Sequence, residues 1–306
     1  MIRSVLKYLA VVLCAGLALA ARAQTALPEF EIQRGVEYAN HDGTALQGDL
    51  YLPKAPGKYP AIIGVHGGGW QAGSRASYAH WGPYFAQRGY VVFAISYRLS
   101  KPGQNTYPQA VQDVRAAIQF VRGRGEAIKV DGERIALQGD SAGGHLVALT
   151  ALAGDDAPYA GAYPNDSFAS VSSRVKAVVA FYGVFDMVQQ WNHDLTHRPL
   201  DNITEKFLGT KPSEDRKRFI EASPMTYAIR AKNTTSFYLV HGTEDDIVDR
   251  EQSDNFLLAL KQAGFFARHF VVQGVGHFFA SDPISEPYSK SGEAAGPVLR
   301  FYRDRL

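Results

Sequence analysis

From residue 32 onward, short apolar runs alternate with segments whose apolar positions recur every three or four residues. Runs at 32–38, 46–52, 61–65, 91–97, 134–137, 175–181, 237–240 and 269–272 have the length and β-branched or aromatic content of strands. Most are apolar throughout rather than alternating, as expected of strands covered on both faces. The first two flank Asp42-Gly43, which predicts a hairpin. Helical periodicity marks 77–87, 108–121, 142–152, 251–262 and a closing segment 298–306. Strands that alternate with helices predict an α/β fold, with about eight mostly parallel strands in one doubly wound domain.

Two stretches break this rhythm. Residues 154–173, rich in Gly, Ala, Pro, Asp and Ser, read as a surface excursion. Residues 185–235 are polar and partly helical (204–208 and 215–221), with Trp191, Phe207 and Phe219 interspersed. A structureless loop of that length is unusual in a compact domain, so the segment is expected to form a small cap over the strand ends.

Ahead of the first strand, Arg3 and Lys7 precede an apolar run at 8–20 and the small-residue site Ala21-Arg22-Ala23. This predicts a secretory signal peptide cleaved after Ala23, with residues 24–306 as a single domain, secreted or periplasmic. The run is short for a membrane span, and no stable membrane insertion is expected. Cys14, the chain's one cysteine, falls inside it, so the mature chain is expected to hold no thiol, disulfide or cysteine metal site. Composition adds exclusions: 46% hydrophobic and 20% charged residues rule out a disordered, collagenous or coiled-coil chain. With 32 Lys+Arg against 30 Asp+Glu, no strong field points to nucleic acid.

Chemistry enters at Gly139-Asp140-Ser141-Ala142-Gly143, where the strand at 134–137 meets the helix at 142–152. The G-x-S-x-G pattern is common by chance, but its strand-to-helix context is not. A serine on so sharp a turn needs neighbours without side chains two residues away on either side, which Gly139 and Gly143 provide. The helix N-terminus also offers free N–H groups to a developing oxyanion. Upstream, His66-Gly67-Gly68-Gly69-Trp70 follows the strand at 61–65. Three successive glycines cost backbone entropy, and they make sense where N–H groups must approach a ligand closely. Loops of this kind complete the oxyanion hole of lipases and esterases, which makes Gly68, Gly69 and Ala142 the candidate donors. His66 reads as the loop's structural anchor. Trp70 either walls a substrate pocket or packs in the core.

A serine nucleophile needs a base. His277 stands on the glycine-rich loop after the last strand and is the candidate. His145 lies one turn beyond Ser141, too near to face it. His193 and His197 fall in the 185–235 segment, His41 and His80 in surface-looking segments, and His269 inside a strand. For the orienting carboxylate, Asp245 follows the strand at 237–240, with Asp246 and, more distantly, Asp186 as alternatives. The order Ser141, Asp245, His277 is that of α/β-hydrolases.

These segments resemble the α/β-hydrolase esterases, and more narrowly the acetyl-esterase/hormone-sensitive-lipase-like group and its feruloyl-esterase-like branch. The likeness runs from about Ile32 to the C-terminus and takes in Tyr97-Arg98, Tyr107-Pro108, Asp113 and Ala222-Ser223-Pro224. It implies the α/β-hydrolase fold and hydrolysis of a small-molecule carboxylic ester, with no metal and no cofactor. Hormone-sensitive-lipase-like enzymes carry a helical N-terminal cap, whereas few residues precede the first strand here. That favours the compact secreted branch, with 185–235 as the specificity element, acting on short-chain or aromatic acyl esters. Amide cleavage, as in prolyl-oligopeptidase-like or formamidase-like enzymes, uses the same apparatus. A non-catalytic binding module on the same fold is the reading from another class. Leaving-group preference and fluorophosphonate labelling separate the three.

Overall fold

The computed structural model describes residues 27–306; the expected signal peptide, its cleavage site after Ala23 and Cys14 lie outside the described residues. Eight strands, β1 (Phe30–His41), β2 (Thr44–Pro53), β3 (Tyr59–Val65), β4 (Val91–Ile95), β5 (Val130–Asp140), β6 (Ala177–Phe181), β7 (Ser236–Gly242) and β8 (Ala267–Val272), form one sheet. Their order is β1-β2-β4-β3-β5-β6-β7-β8. Strand β2 runs antiparallel to both its neighbours, and every other pair is parallel. The β1–β2 hairpin turns at Asp42 (φ 52°) and Gly43 (φ 80°), the pair of positive φ values that a two-residue turn matched to strand twist requires.

The central strands are apolar throughout because both their faces are covered. In β3, Ala61, Ile63 and Val65 join one core cluster while Ile62 joins the other; in β6, Val178 and Ala180 oppose Ala177 and Val179. On the first face lie helices α2 (Gln109–Gly123), α3 (Ala142–Ala153) and α7 (Glu251–Gln262); on the second lie α1 (Trp81–Ala86) and α8 (Lys290–Arg305). Helix α3 is buried along almost its whole length, which is why its sequence carries no polar stripe. Between β6 and β7 the chain forms α4 (Met187–His197), α5 (Ile203–Leu208) and α6 (Arg216–Glu221). Phe207 and Phe219 from this segment are fully buried against the first face. Among the described residues, no helix is long and apolar enough to cross a membrane.

Several expectations needed revision. The segment at 77–87 is a 3-10 turn (Arg75–Ala79) followed by α1, with the break at His80; Pro83, in the first turn of α1, has no N–H to continue a helix back to Ala79. Helix α8 begins eight residues before its expected start and carries Pro297 inside it. Its first turn is instead held by the Ser289 cap on the Gly292 N–H (3.0 Å) and by Ser291 bonding to the Ala280 carbonyl (3.0 Å).

The larger revision concerns His41; residues 154–173 form the expected irregular, largely exposed excursion. His41 is fully buried, not superficial, with Nδ1 2.9 Å from Asp113 and Nε2 2.8 Å from Asp166. Tyr163 stacks on its ring with centroids 3.6 Å apart. The 154–173 segment is therefore tied into the molecule, and buried Tyr159 adds a hydroxyl bond to Tyr107 (2.8 Å). Arg98 pairs with Asp113 and belongs to this same cluster.

Candidate active site

Three loops at the carboxyl ends of parallel strands meet at Ser141. The serine sits between the last residue of β5 and the first of α3 at φ 52°, ψ −119°, and its N–H is pinned to the Phe181 carbonyl of β6 (2.9 Å). The turn closes only because Gly143 lacks a side chain: a Cβ there would lie 2.1 Å from the Val65 carbonyl oxygen, on the neighbouring β3. His277, five residues beyond β8, places Nε2 2.9 Å from Ser141 Oγ. Its Nδ1 lies 2.7 Å from Asp245 Oδ2. With the proton on Nδ1, the Nε2 lone pair faces the serine hydroxyl.

Asp245 is fully provided with donors. Its Oδ1 accepts the N–H groups of Ile247 (3.0 Å) and Val248 (2.9 Å), and its Oδ2 meets His277 and, at 3.2 Å, His241. Burial opposes ionisation, but the bonds from His241 and His277 outweigh it and hold the carboxyl well below the usual carboxylate range. The two alternatives are engaged elsewhere. Asp246 is exposed and meets His193 through its backbone carbonyl, and Asp186 caps α4 by accepting the Val188 and Gln189 N–H groups. His241, which the sequence reading left unweighed, is buried at the end of β7 and also bonds Ser253 (2.8 Å). Its position four residues before Asp245 on a strand end was the available signal.

The glycine loop after β3 lies across from the serine. Gly68 (φ 110°) is held so tightly that a Cβ would fall 2.3 Å from the Ala72 carbonyl oxygen, and Gly67 donates its N–H to Asp140 Oδ1 (3.1 Å). Burial raises the Asp140 carboxyl to about 6. His66 stacks on Tyr97 (4.4 Å) and anchors the loop from inside, and burial lowers its imidazole to about 4. Among the described residues, the N–H groups of Gly68, Gly69 and Ala142 have no acceptor. Trp70 takes the packing alternative and is not a wall of the cleft: its indole is fully buried, stacks on Phe207 (4.6 Å) and donates to His145 Nδ1 (3.1 Å). His145 in turn donates from Nε2 to the Ala222 carbonyl (2.8 Å), so it braces the loop from within the core.

Gly68, Gly69, Ser141 and His277 open onto a cleft of about 320 Å³. Ile247 and Phe278 form apolar walls beside Asp245 and His277, and Arg198, Asp201 and Ile203 approach from the 185–235 segment. Sequence reasoning found none of these five wall residues individually. Cavities of about 560 Å³ and 500 Å³ lie elsewhere, and neither includes Ser141 or His277. Chemically, the cleft offers a hydroxyl beside a base, a buried carboxylate behind the base, and a set of unpaired N–H donors.

Comparison with known proteins extends this picture. The family model described as BD-FAE matches residues 48–260. The chain is 31% identical over 228 residues to the probable carboxylic ester hydrolase LipM of Mycobacterium tuberculosis, covering 73% of this chain and 49% of that protein. It is 32% identical over 235 residues to esterase LipC of the same organism, with 74% and 54% covered. It thus spans about half the length of the curated relatives it matches. Among solved structures, the propionate-bound esterase Est2 of Thermogutta terrifontis superposes with a TM-score of 0.72 at 25% identity, over 92% of this chain and 95% of that one. A truncated carbohydrate esterase from gut microbiota superposes at 0.75 and 25% identity, over 92% and 97%.

Proposed function

Because the chain belongs to the BD-FAE family and carries the α/β-hydrolase fold, we propose that it is a serine carboxylesterase that cleaves small-molecule esters through an acyl-enzyme. Ser141 Oγ attacks the ester carbonyl carbon as its proton passes to Nε2 of His277. The carbonyl electron pair moves onto oxygen, and the oxyanion is received by the N–H groups of Gly68, Gly69 and Ala142. Their lack of internal acceptors and the α3 N-terminus beside Ser141 support that role. The tetrahedral intermediate collapses, and the departing alcohol takes the proton from Nε2. Water then gives its proton to Nε2 and attacks the acyl carbon; the acid leaves as the serine recovers its proton. Asp245 keeps the imidazole in the required tautomer and stabilises the imidazolium. The observation that carries this reading is the unbroken hydrogen-bonded chain Ser141–His277–Asp245.

Short-chain or aromatic acyl esters suit a cleft of this volume walled by Ile203, Ile247 and Phe278. The 185–235 segment acts as the specificity element, since it brings Arg198, Asp201 and Ile203 to the cleft. The N-terminal segment ending at Ala23 directs the protein out of the cytoplasm; N-terminal sequencing of exported protein should begin at Gln24. The test of the activity is hydrolysis of 4-nitrophenyl esters from acetate to decanoate, and of methyl ferulate, by protein starting at Gln24. Activity that peaks at short or aromatic acyl groups and disappears in Ser141→Ala is the expected result.

A further inference from the structure

Ester cleavage gives one charged side chain in the cleft no task. Arg198 directly follows α4 and lines the cleft together with Ser141 and His277. Its Nη2 donates to Asp201 Oδ2 (2.7 Å), and among the described residues this is the only hydrogen bond its guanidinium makes. The other oxygen of Asp201 is taken by Lys206 Nζ. One carboxylate is thus shared by two cations, and the group carries a net positive charge at the edge of the cleft. Asp194, the other anion that feels the Arg198 charge, makes no hydrogen bond to the guanidinium. Asp194 is buried, with its carboxylate accepting from Gln190 (2.9 Å) and the Ile203 N–H (3.2 Å). The charge of Asp245 lies behind His277 with its own donors. The remaining walls are uncharged: Gln71, Ile203, Ile247 and Phe278.

An arginine fork with unused N–H groups suits a planar carboxylate, which it meets with two bonds and opposite charge, whereas a neutral substrate gains less from it. The bland alternative is a helix-end residue: a cation at the C-terminus of α4 is favoured by the helix dipole whatever the substrate. That role gives no reason for the side chain to line the cleft, and it makes a different experimental forecast.

We propose that Arg198 is a specificity-determining residue that selects esters carrying an anionic group, a carboxylate foremost, a few atoms from the scissile carbonyl. This deepens the carboxylesterase reading and rests on it. The anion can belong to the acyl or to the alcohol part, and two matched substrate pairs separate these. On the acyl side, 4-nitrophenyl 4-carboxybenzoate is compared with 4-nitrophenyl 4-carbamoylbenzoate. On the alcohol side, 4-acetoxybenzoate is compared with 4-acetoxybenzamide.

For each protein the readout is the ratio of kcat/KM for the anionic member over the neutral one, which cancels any general loss of folded enzyme. In at least one pair, Arg198→Gln should lower this ratio about tenfold relative to the parent, the scale of one lost charge-assisted hydrogen bond. Arg198→Lys should restore part of it. Asp201→Asn removes the internal competitor and should raise the ratio. Ratios that stay equal in the parent and Arg198→Gln on both pairs, with the neutral esters still cleaved, overturn the inference and leave the esterase reading standing. So do ratios that fall in Arg198→Gln and Asp201→Asn alike, which mark a purely structural pair. If no member of either pair is cleaved while 4-nitrophenyl acetate is, the inference fails and the esterase reading stands; if 4-nitrophenyl acetate is also left intact, both fail.

Discussion

Trp70 donates its indole N–H to Nδ1 of His145 across 3.1 Å, with both side chains fully buried. The bond fixes the proton of His145 on Nε2, where it reaches the Ala222 carbonyl, and burial keeps the imidazole neutral by pushing it down to about 4. The residue that ends the glycine loop is thereby bolted to the helix that begins after Ser141. Trp70→Phe should leave Nδ1 of His145 without a donor, at a cost of about 1–3 kcal/mol before any packing loss. Thermal unfolding should show a drop of several degrees in Tm, while preference among acyl chain lengths stays as it was. A shift toward longer acyl chains would instead mean that the indole walls the pocket.

Asp245 and Asp246 are adjacent but not equivalent. Asp245 has a fully buried side chain bonded to His277, whereas Asp246 is exposed. Asp245→Asn should lower kcat on the order of 10⁴-fold, because an amide donor favours the wrong imidazole tautomer. Asp246→Asn should have a minor effect. Steady-state kinetics on one soluble ester compares them directly.

Gly143 tests the tight turn under the serine. A methyl group 2.1 Å from the Val65 carbonyl oxygen must displace either β3 or α3. Gly143→Ala is therefore expected to cost more than about 4 kcal/mol and to yield little folded protein. Far-UV circular dichroism and soluble yield report it before any assay.

His41 makes stability depend on pH. Burial disfavours its charged form, but the bonds to Asp113 and Asp166 prevail and raise it above the ordinary histidine value of about 6.5. A raised value in the folded state means that this stabilisation is complete below about pH 6.5. It is lost as pH climbs through the higher folded value. The Tm advantage of the parent over His41→Gln should shrink as pH rises from 6 through about 8. An advantage that grows over that range would show that the ring is held neutral.

What could be read in the chain follows from where each signal is stored. Strands β3 to β7 were visible because cover on both faces leaves an unbroken apolar run, and Ser141 because its turn tolerates only small residues around it. Such constraints are local. The His41 cluster was not visible, since its carboxylates come from 72 and 125 residues away and its polar surroundings resemble a surface segment. Trp70 was undecided for the same reason: its partner His145 is 75 residues distant. Arg198 and Ile203 reach the cleft only through the path of the 185–235 segment, and no periodicity encodes that path.

The central claim is that Ser141 is the nucleophile, activated by His277. The most direct measurement treats the protein with a fluorophosphonate, follows ester hydrolysis, and maps the adduct by peptide mass spectrometry. A single adduct on Ser141, formed in step with loss of hydrolysis and absent in His277→Ala over the same interval, is the expected result. An adduct elsewhere, or hydrolysis that persists in Ser141→Ala, would contradict the account.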